Sequence, residues 1–320
     1  MKDDFLISIV VPVMNEEDNI PLLYKELERV LNSYSDFEII FIDDGSVDNT
    51  LQKLKMLHLE NNKVKYFSFS RNFGHQNALK AGLDNALGDC VISLDGDLQH
   101  PTSLIPELIN NWQKGYEIVY TIREEDPNLS FWKKISSRLF YKLMNSLTHV
   151  EIEQGSADFR LLDRSVVDVI KRIKETPLFY RGIVSWLGFK QIGIKYKPSE
   201  RLHGTTKYSF VKMMSLGMAG ITGFSVKPLH LSTKIGFIFA ILAFVYSIYA
   251  LYIKLFTNSS IDGWASLLIV VSLIGGIQLI SIGILGEYIG KLFMQEKKRP
   301  AYIIREKSTD SKHNSKLDTP

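Results

Sequence analysis

The chain of 320 residues has room for one large domain or two smaller ones. A net charge of +3 supplies no global field that would argue for nucleic acid as a partner. Apolar residues reach 45%, but unevenly: the first two-thirds look soluble and the last third apolar.

The single cysteine, Cys90, excludes an intrachain disulfide, and no Cys/His spacing suits zinc. It lies in an apolar run and reads as a small buried hydrophobe. Met1-Lys2-Asp3-Asp4 lacks the basic start of a signal peptide, so none is expected. Through residue 125, short β-branched runs alternate with helix-period segments. Strands are expected over 7–13, 38–42, 63–69, 90–94 and 117–121. Helices are expected over 16–31, with Asn15 as N-cap, and over 49–59, 75–87 and 104–112. Strands separated by helices make βαβ units and a mostly parallel sheet. Ligands bind such sheets beyond the carboxyl ends of the strands. Pro12, Asn15, Asp43, Asp44, Asp95 and Asp97 lie at or just past those ends, which places them on one edge.

The run Cys90 to Leu94 ends in Asp95-Gly96-Asp97-Leu98-Gln99, two carboxylates at i, i+2. Carboxylates at a buried strand end are costly unless something positive meets them. Mg²⁺ suits that geometry, since it takes one or two carboxylates plus substrate phosphate oxygens. A solvated acidic turn is the plainer alternative. An earlier acidic strand end, Asp43-Asp44-Gly45-Ser46, strengthens the metal reading. No G-x-G-x-x-G follows the first strand and no G-x-x-x-x-G-K-[ST] occurs, so dinucleotide redox and P-loop chemistry lose their main support. A haloacid dehalogenase-type phosphatase would want its DxD after the first strand.

Residues 131–147 place Phe131, Ile135, Leu139, Phe140, Leu143 and Leu147 at helical spacing, interleaved with Lys133, Lys134, Arg138 and Lys142. This reads either as a core-facing helix or as one lying on a membrane surface. Residues 208–226 look similarly interfacial. Residues 235–253 and 264–286 carry no charge over 19 and 23 positions until the second run ends. Each is long enough to cross a hydrocarbon core of about 30 Å. Lys227 and Lys234 precede the first span; Lys291, Lys297, Lys298 and Arg299 follow the second. The positive-inside rule then puts the large N-terminal region and both termini in the cytoplasm and the short linker outside. Gly286 and Gly290 would permit close helix contact. Residues 305–320 are polar and aperiodic, and read as disordered.

Four ordered landmarks bring a family into view: Ser8-Ile9-Val10-Val11-Pro12-Val13-Met14-Asn15-Glu16-Glu17, Asp43-Asp44-Gly45-Ser46, Ser70-Arg71-Asn72-Phe73-Gly74 and Asp95-Gly96-Asp97-Leu98-Gln99. They resemble the family 2 glycosyltransferases of the GT-A fold. Later landmarks are Gly155 to Arg164, Arg201-Leu202-His203-Gly204-Thr205-Thr206-Lys207-Tyr208 and the spans ending Leu285-Gly286-Glu287-Tyr288. These resemble polyprenyl-phosphate glycosyltransferases of the bacterial bactoprenol glucosyltransferase type. Thr206 stands where a typical member has Ser.

The resemblance implies an α/β, Rossmann-like GT-A domain over 1–125, an acceptor-side region with interfacial helices over 126–230, a two-helix transmembrane hairpin over 231–290 and a basic, disordered tail over 291–320. It implies metal-dependent, inverting transfer of a sugar, with glucose first, from a UDP-sugar to polyprenyl phosphate at the inner membrane. N-acetylglucosamine, mannose from GDP-mannose and aminoarabinose stay open, as does a homo-oligomer. Pro12, Asn15, Glu17, Asp43, Asp44, Arg71 and Asp95 would line the nucleotide-sugar pocket. Asp95, Asp97 and Gln99 would hold Mg²⁺ or Mn²⁺. Asp158 and Asp97 would be catalytic, and Arg123, Arg160, Arg201 and Lys207 would bind the acceptor phosphate. Asp158 is also placed for a salt bridge to Arg160 or Arg164. A processive polysaccharide synthase would carry Q-x-x-R-W, which is absent. A catalytically dead scaffold is argued against by the intact Asp95, Asp97 and Asp158 set.

Overall fold

The computed structural model describes residues 4–124, 153, 155–175, 179–197, 225–256 and 263–308. The chain divides into two units: Met1–Lys142, Val150–Phe210 and Arg299–Pro320 form the first, Leu143–His149 and Val211–Lys298 the second.

In the first unit the β-branched runs become β1 (Leu6–Val13), β2 (Asp36–Asp43), β3 (Val64–Phe69) and β4 (Cys90–Ser93). Between them lie α1 (Asn19–Leu31), α2 (Thr50–Glu60) and α3 (His75–Asn85). These strands are covered on both faces, so they read as continuous apolar runs rather than as alternating ones. A 3₁₀ turn at Thr102–Leu104 leads into α4 (Ile105–Gln113) and β5 (Ile118–Arg123). Then come β6 (Ser156–Asp163), α5 (Arg164–Arg172), α6 (Tyr180–Trp186), β7 (Gln191–Tyr196) and, far along the chain, β8 (Ile304–Lys307).

The sheet has the order β7-β5-β6-β4-β1-β2-β3-β8. β1 pairs in parallel with β2 and β4, and β2 with β3. β6 runs antiparallel between β4 and β5, β7 is parallel to β5, and β8 is antiparallel to β3. From β1 the chain builds outward to β3, then returns to place β4 on the other side. Such a reversal opens a crevice at the carboxyl ends, where open α/β sheets bind ligands. The β1–β4 ladder stops at Val10↔Ser93. Pro12, which has no N–H to give, sits beyond that last pair.

One apolar core runs along the sheet from β3 to β7. Ile9, Phe41, Ile92 and Phe159 have no exposed surface. α1 buries Ile20, Leu23, Leu27 and Leu31 at helical spacing against them. Cys90 is buried as expected, and burial pushes its thiol pKa up.

Two expectations are corrected. Asn15 is not an N-cap: α1 starts at Asn19, and Asn15 sits at φ 54° in the preceding loop. Residues 305–307 are not disordered, because β3 presents an unpaired edge and β8 fills it. Among the described residues, a Cβ at Gly286 or Gly290 would meet nothing within 4 Å.

In the second unit, α7 (Lys227–Phe256) and α8 (Trp264–Glu296) pack on each other. Within them Lys227–Tyr249 and Leu273–Glu296 are long and apolar enough to cross a membrane, with mean hydropathy 1.9 and 1.5. Neither stretch is buried inside the protein. Phe237, Ile241, Phe244 and Val245 stand exposed on α7, and Leu279, Ile282 and Ile289 on α8. Helices with apolar outer faces of this length are consistent with membrane association. The basic segment at 131–147, most of 208–226, Arg201 and Lys207 lie outside the described residues.

One close approach sets the spacing between α3 and β1. A Cβ at Gly82 would collide with the Val10 side chain, which is itself wholly buried. Gly82→Ala should lower unfolding stability by about 1–3 kcal/mol through overpacking. Gly275→Ala, where a Cβ meets nothing within 4 Å, should leave it unchanged or slightly raised. Thermal or denaturant unfolding of the purified proteins reads both.

Candidate active site

The loops after β1, β2, β3 and β4 meet at the crevice, and short polar contacts lock them together. The Asn15 N–H donates to Ser46 Oγ at 2.9 Å, and its Oδ1 accepts from the Val47 N–H at 2.9 Å. Glu17 Oε2 accepts from Asn49 Nδ2 at 2.8 Å. Asp43, fully inside, accepts from the Ser46 N–H at 2.9 Å and from the Ser68 hydroxyl at 2.7 Å. Asp44 accepts from the Phe73 N–H at 2.7 Å and the Gly74 N–H at 3.0 Å. Burial pushes the Asp44 pKa up, against the pull of those two N–H donors. Gly45 makes this junction possible. Its φ is +71°, and a Cβ there would lie 2.5 Å from the Arg71 carbonyl carbon. Arg71 lies over the Phe73 ring, its guanidinium carbon 4.2 Å from the centroid.

The crevice's other wall carries the carboxylates of β4 and β6. The antiparallel register puts Ser93 opposite Arg160, so two residues further on Asp95 faces Asp158. His75, the first residue of α3, sits between them. Its Nε2 is 3.4 Å from Asp95 Oδ1 and 3.7 Å from Asp158 Oδ2. Burial alone would lower the His75 pKa. The hydrogen bond to Asp158 and the charges of Asp95 and Asp158 override it and raise the pKa to about 9. Asp95 Oδ2 also meets His100 Nε2 at 3.0 Å, and His100 Nδ1 meets the Tyr196 hydroxyl at 2.9 Å. With Nε2–H donating to the carboxylate, Nδ1 accepts from that hydroxyl. Burial raises the Asp95 pKa, but His100 and His75 bring it below the usual carboxylate value.

Asp158 is held by two guanidiniums. Arg181 donates from Nε at 3.2 Å and from Nη2 at 3.3 Å, and Arg160 Nη2 lies 3.4 Å away. Burial opposes ionisation here, yet Arg181, His75 and Arg160 together hold the Asp158 carboxyl well below the usual range. Of the two partners expected for it, Arg160 is one. Arg164 instead donates to the Gly88 carbonyl. Arg160 and Arg181 also line a shallow cleft with Tyr120, Glu153, Ser156 and Gln191. Arg160 Nε is buried without a partner.

Asp97 Oδ1 accepts from the Gln99 N–H at 3.2 Å in a turn where Leu98 takes φ 60°. Asn15 and Leu98 are two of the three described non-glycine residues with positive φ, and both flank the crevice. Gln99, expected among metal ligands, is buried, and its Oε1 accepts from Arg123 Nη1 at 3.3 Å. No cluster of three or more His, Cys, Asp or Glu poised for a metal occurs among the described residues. A cation that draws most of its ligands from phosphate and water needs only one or two carboxylates. Asp95 Oδ1, which is buried and accepts no hydrogen bond but has the His75 ring 3.4 Å away, would fit that role only with His75 neutral or displaced.

Residues 8–171 match the glycosyl transferase family 2. The chain belongs to that family. It is a glycosyltransferase with a GT-A domain, and its relatives span nearly its whole length. It is 45% identical to glycosyltransferase YkcC of Bacillus subtilis (strain 168), covering 93% of each chain. It is 43% identical to the prophage bactoprenol glucosyl transferase homolog of Escherichia coli (strain K12), over 93% of this chain and 98% of the other. The bactoprenol glucosyl transferase of Shigella phage SfV is 42% identical, with the same coverage.

His75, His100, Arg181 and Tyr196 escaped the reading of the sequence. His75 and His100 directly follow two of the quoted landmarks, so proximity to them was the available signal. Arg181 and Tyr196 reach the site only through contacts 23 and 96 residues distant in sequence, and nothing local marks them.

The raised His75 pKa makes stability pH-dependent. A histidine with ordinary pKa 6.5 that titrates at about 9 in the fold contributes stability fully present below pH 6.5 and lost as pH rises through about 9. In EDTA-containing buffer, His75→Gln should flatten the fall in unfolding stability across that window. Asp158 acts at the other end: its contribution is present above the ordinary pKa of 3.8 and is lost only as pH falls well below it.

Proposed function

We propose that this enzyme transfers a sugar, glucose first among candidates, from a UDP-sugar to a polyprenyl phosphate at the cytoplasmic membrane face. The observation that carries it is the paired wall of the crevice. A β4 carboxylate at the nucleotide edge faces a β6 carboxylate held by two arginines, in a chain that also has two membrane-length helices. The names of its near-full-length relatives favour a bactoprenol acceptor and a glucosyl donor.

In this reading Asn15, Glu17, Asp44 and Arg71 surround the nucleotide. Asp43 acts through the loop it braces. Asp95 and Asp97 would hold Mg²⁺ or Mn²⁺, which when bound offsets charge on the departing nucleoside diphosphate. Arg123, Arg201 and Lys207 are assigned to phosphate, since a guanidinium meets phosphate oxygens in bidentate fashion and an ammonium meets them as a point charge.

Asp158 orients rather than deprotonates. A carboxylate held well below its usual range by Arg181 and Arg160 is a poor base. The acceptor does not need one. A phosphomonoester has a second pKa near 6, so it is already a nucleophile at neutral pH. Its oxygen attacks the anomeric carbon from the side opposite the leaving diphosphate, which inverts the configuration. Asp158 fixes the Arg160 and Arg181 guanidiniums against the incoming dianion.

Membranes incubated with labelled UDP-glucose, UDP-N-acetylglucosamine and GDP-mannose should give a chloroform-soluble labelled lipid from UDP-glucose alone. EDTA should abolish it and Mn²⁺ restore it. Asp97→Ala should cut turnover by roughly 10²–10³, the scale for removing one preorganised electrostatic contact. Asp158→Asn should keep UDP affinity while losing turnover. Loss of UDP binding in that variant, or a steep rise of wild-type rate from pH 7 to 9, would sink the orienting role.

Topology has its own test. Cys90 is buried, so the wild type should stay silent to an impermeant thiol reagent. A cysteine at Ser259 should label from outside intact cells. One at Leu59, which is 85% exposed on α2, should label only after permeabilisation. The reverse pattern would put the catalytic domain away from nucleotide sugars.

A further inference from the structure

β8 does more than cover an edge. It pairs with β3 at Phe67↔Lys307, Ser68↔Glu306 and Phe69↔Ile304, with a register shift between Ser68 and Phe69. At its far end Lys55 Nζ meets Glu306 Oε1 at 2.6 Å, and the Ser308 N–H donates to the Tyr66 carbonyl at 2.9 Å. At its near end the Ser70 N–H donates to the Ile303 carbonyl at 3.0 Å. There the Tyr302 ring stacks on Phe69, centroids 5.2 Å apart and planes 12° apart. The Tyr302 hydroxyl donates to Asp84 Oδ2 on α3 at 2.9 Å.

Phe69 in turn meets Phe73 edge-on at 5.7 Å. Phe73 is the residue whose N–H holds Asp44 and whose ring lies against Arg71. A continuous aromatic run therefore links Tyr302 to the two side chains assigned to the nucleotide. The register shift falls at Phe69, and irregularities of this kind re-aim side chains beside sites.

We propose that Tyr302 is a positioning residue of the donor pocket. Through Phe69 and Phe73 it fixes the 70–74 loop so that Asp44 and Arg71 are in place before the nucleotide arrives. The proposal rests on the donor-side reading of Asp44 and Arg71 above.

The test uses the full-length protein and two readouts: hydrogen–deuterium exchange of the Phe73 and Gly74 amides, and steady-state kinetics with UDP-glucose. Tyr302→Ala should speed exchange at those amides. It should raise KM for UDP-glucose roughly two- to tenfold, the scale of one lost aromatic pair, with kcat changed by less than about twofold. Tyr302→Phe keeps the ring and should restore both readouts. Lys55→Ala cuts the ion pair at the other end of β8 and should move neither. Wild-type exchange in Tyr302→Ala would overturn the proposal, as would a Lys55→Ala effect on KM of equal size, which would mean that any loosening of the edge suffices. A wild type that fails to turn over UDP-glucose would count against the donor reading instead, and the exchange arm still decides whether Tyr302 holds the loop.

Discussion

Carboxylates gathered at the end of a buried parallel sheet are the constraint on which this structure turns. Unpaired, each would carry a desolvation cost of several kcal/mol. Two like charges about 4 Å apart would add roughly 4 kcal/mol of repulsion at an effective dielectric of 20. Each carboxylate is met differently. Asp43 and Asp44 are answered by backbone N–H groups and a serine from the next loops, so their charge is spent on holding the loops together. Asp95 and Asp158 are answered by His75, His100, Arg160 and Arg181, which are side-chain cations or donors.

That difference sorts framework from chemistry. Backbone donors are fixed once the loops close, so Asp43 and Asp44 build a rigid rim. Side-chain partners can exchange one anion for another. Arg160 retains a buried Nε without a partner, and Asp95 Oδ1 has only the long 3.4 Å ion pair to His75. On the proposed function, the Arg160 side would receive the acceptor phosphate and the Asp95 side the cation with its diphosphate. His75 stands between the two sides, and its positive charge stabilises both carboxylates at once.

The acceptor proposed above gives this arrangement its reason. A lipid phosphate would arrive ionised, so the protein would need only to hold a dianion in place and not to generate a nucleophile. A carboxylate whose pKa is driven down by two guanidiniums is suited to orienting and unsuited to proton abstraction.

Much of this was legible in the sequence. Short β-branched runs and the 3.6-residue period located each strand and helix of the first 125 residues to within a few positions, because a sheet covered on both faces and a helix covered on one impose those patterns. The acidic strand ends and the two apolar helices were equally visible, since short motifs and long uncharged runs are local properties. Helix ends were less so: Asn15 has the chemistry of a cap but is claimed by Ser46 and Val47 across the crevice. The tail was misread for a related reason. A polar strand of four residues has no pattern of its own, and only the open edge of β3 makes it one. Arg181, Tyr196 and Tyr302 act through partners 23, 96 and 233 residues away. Their roles arise from strand order and register, which bring distant segments to one edge and leave no trace in any local stretch of sequence.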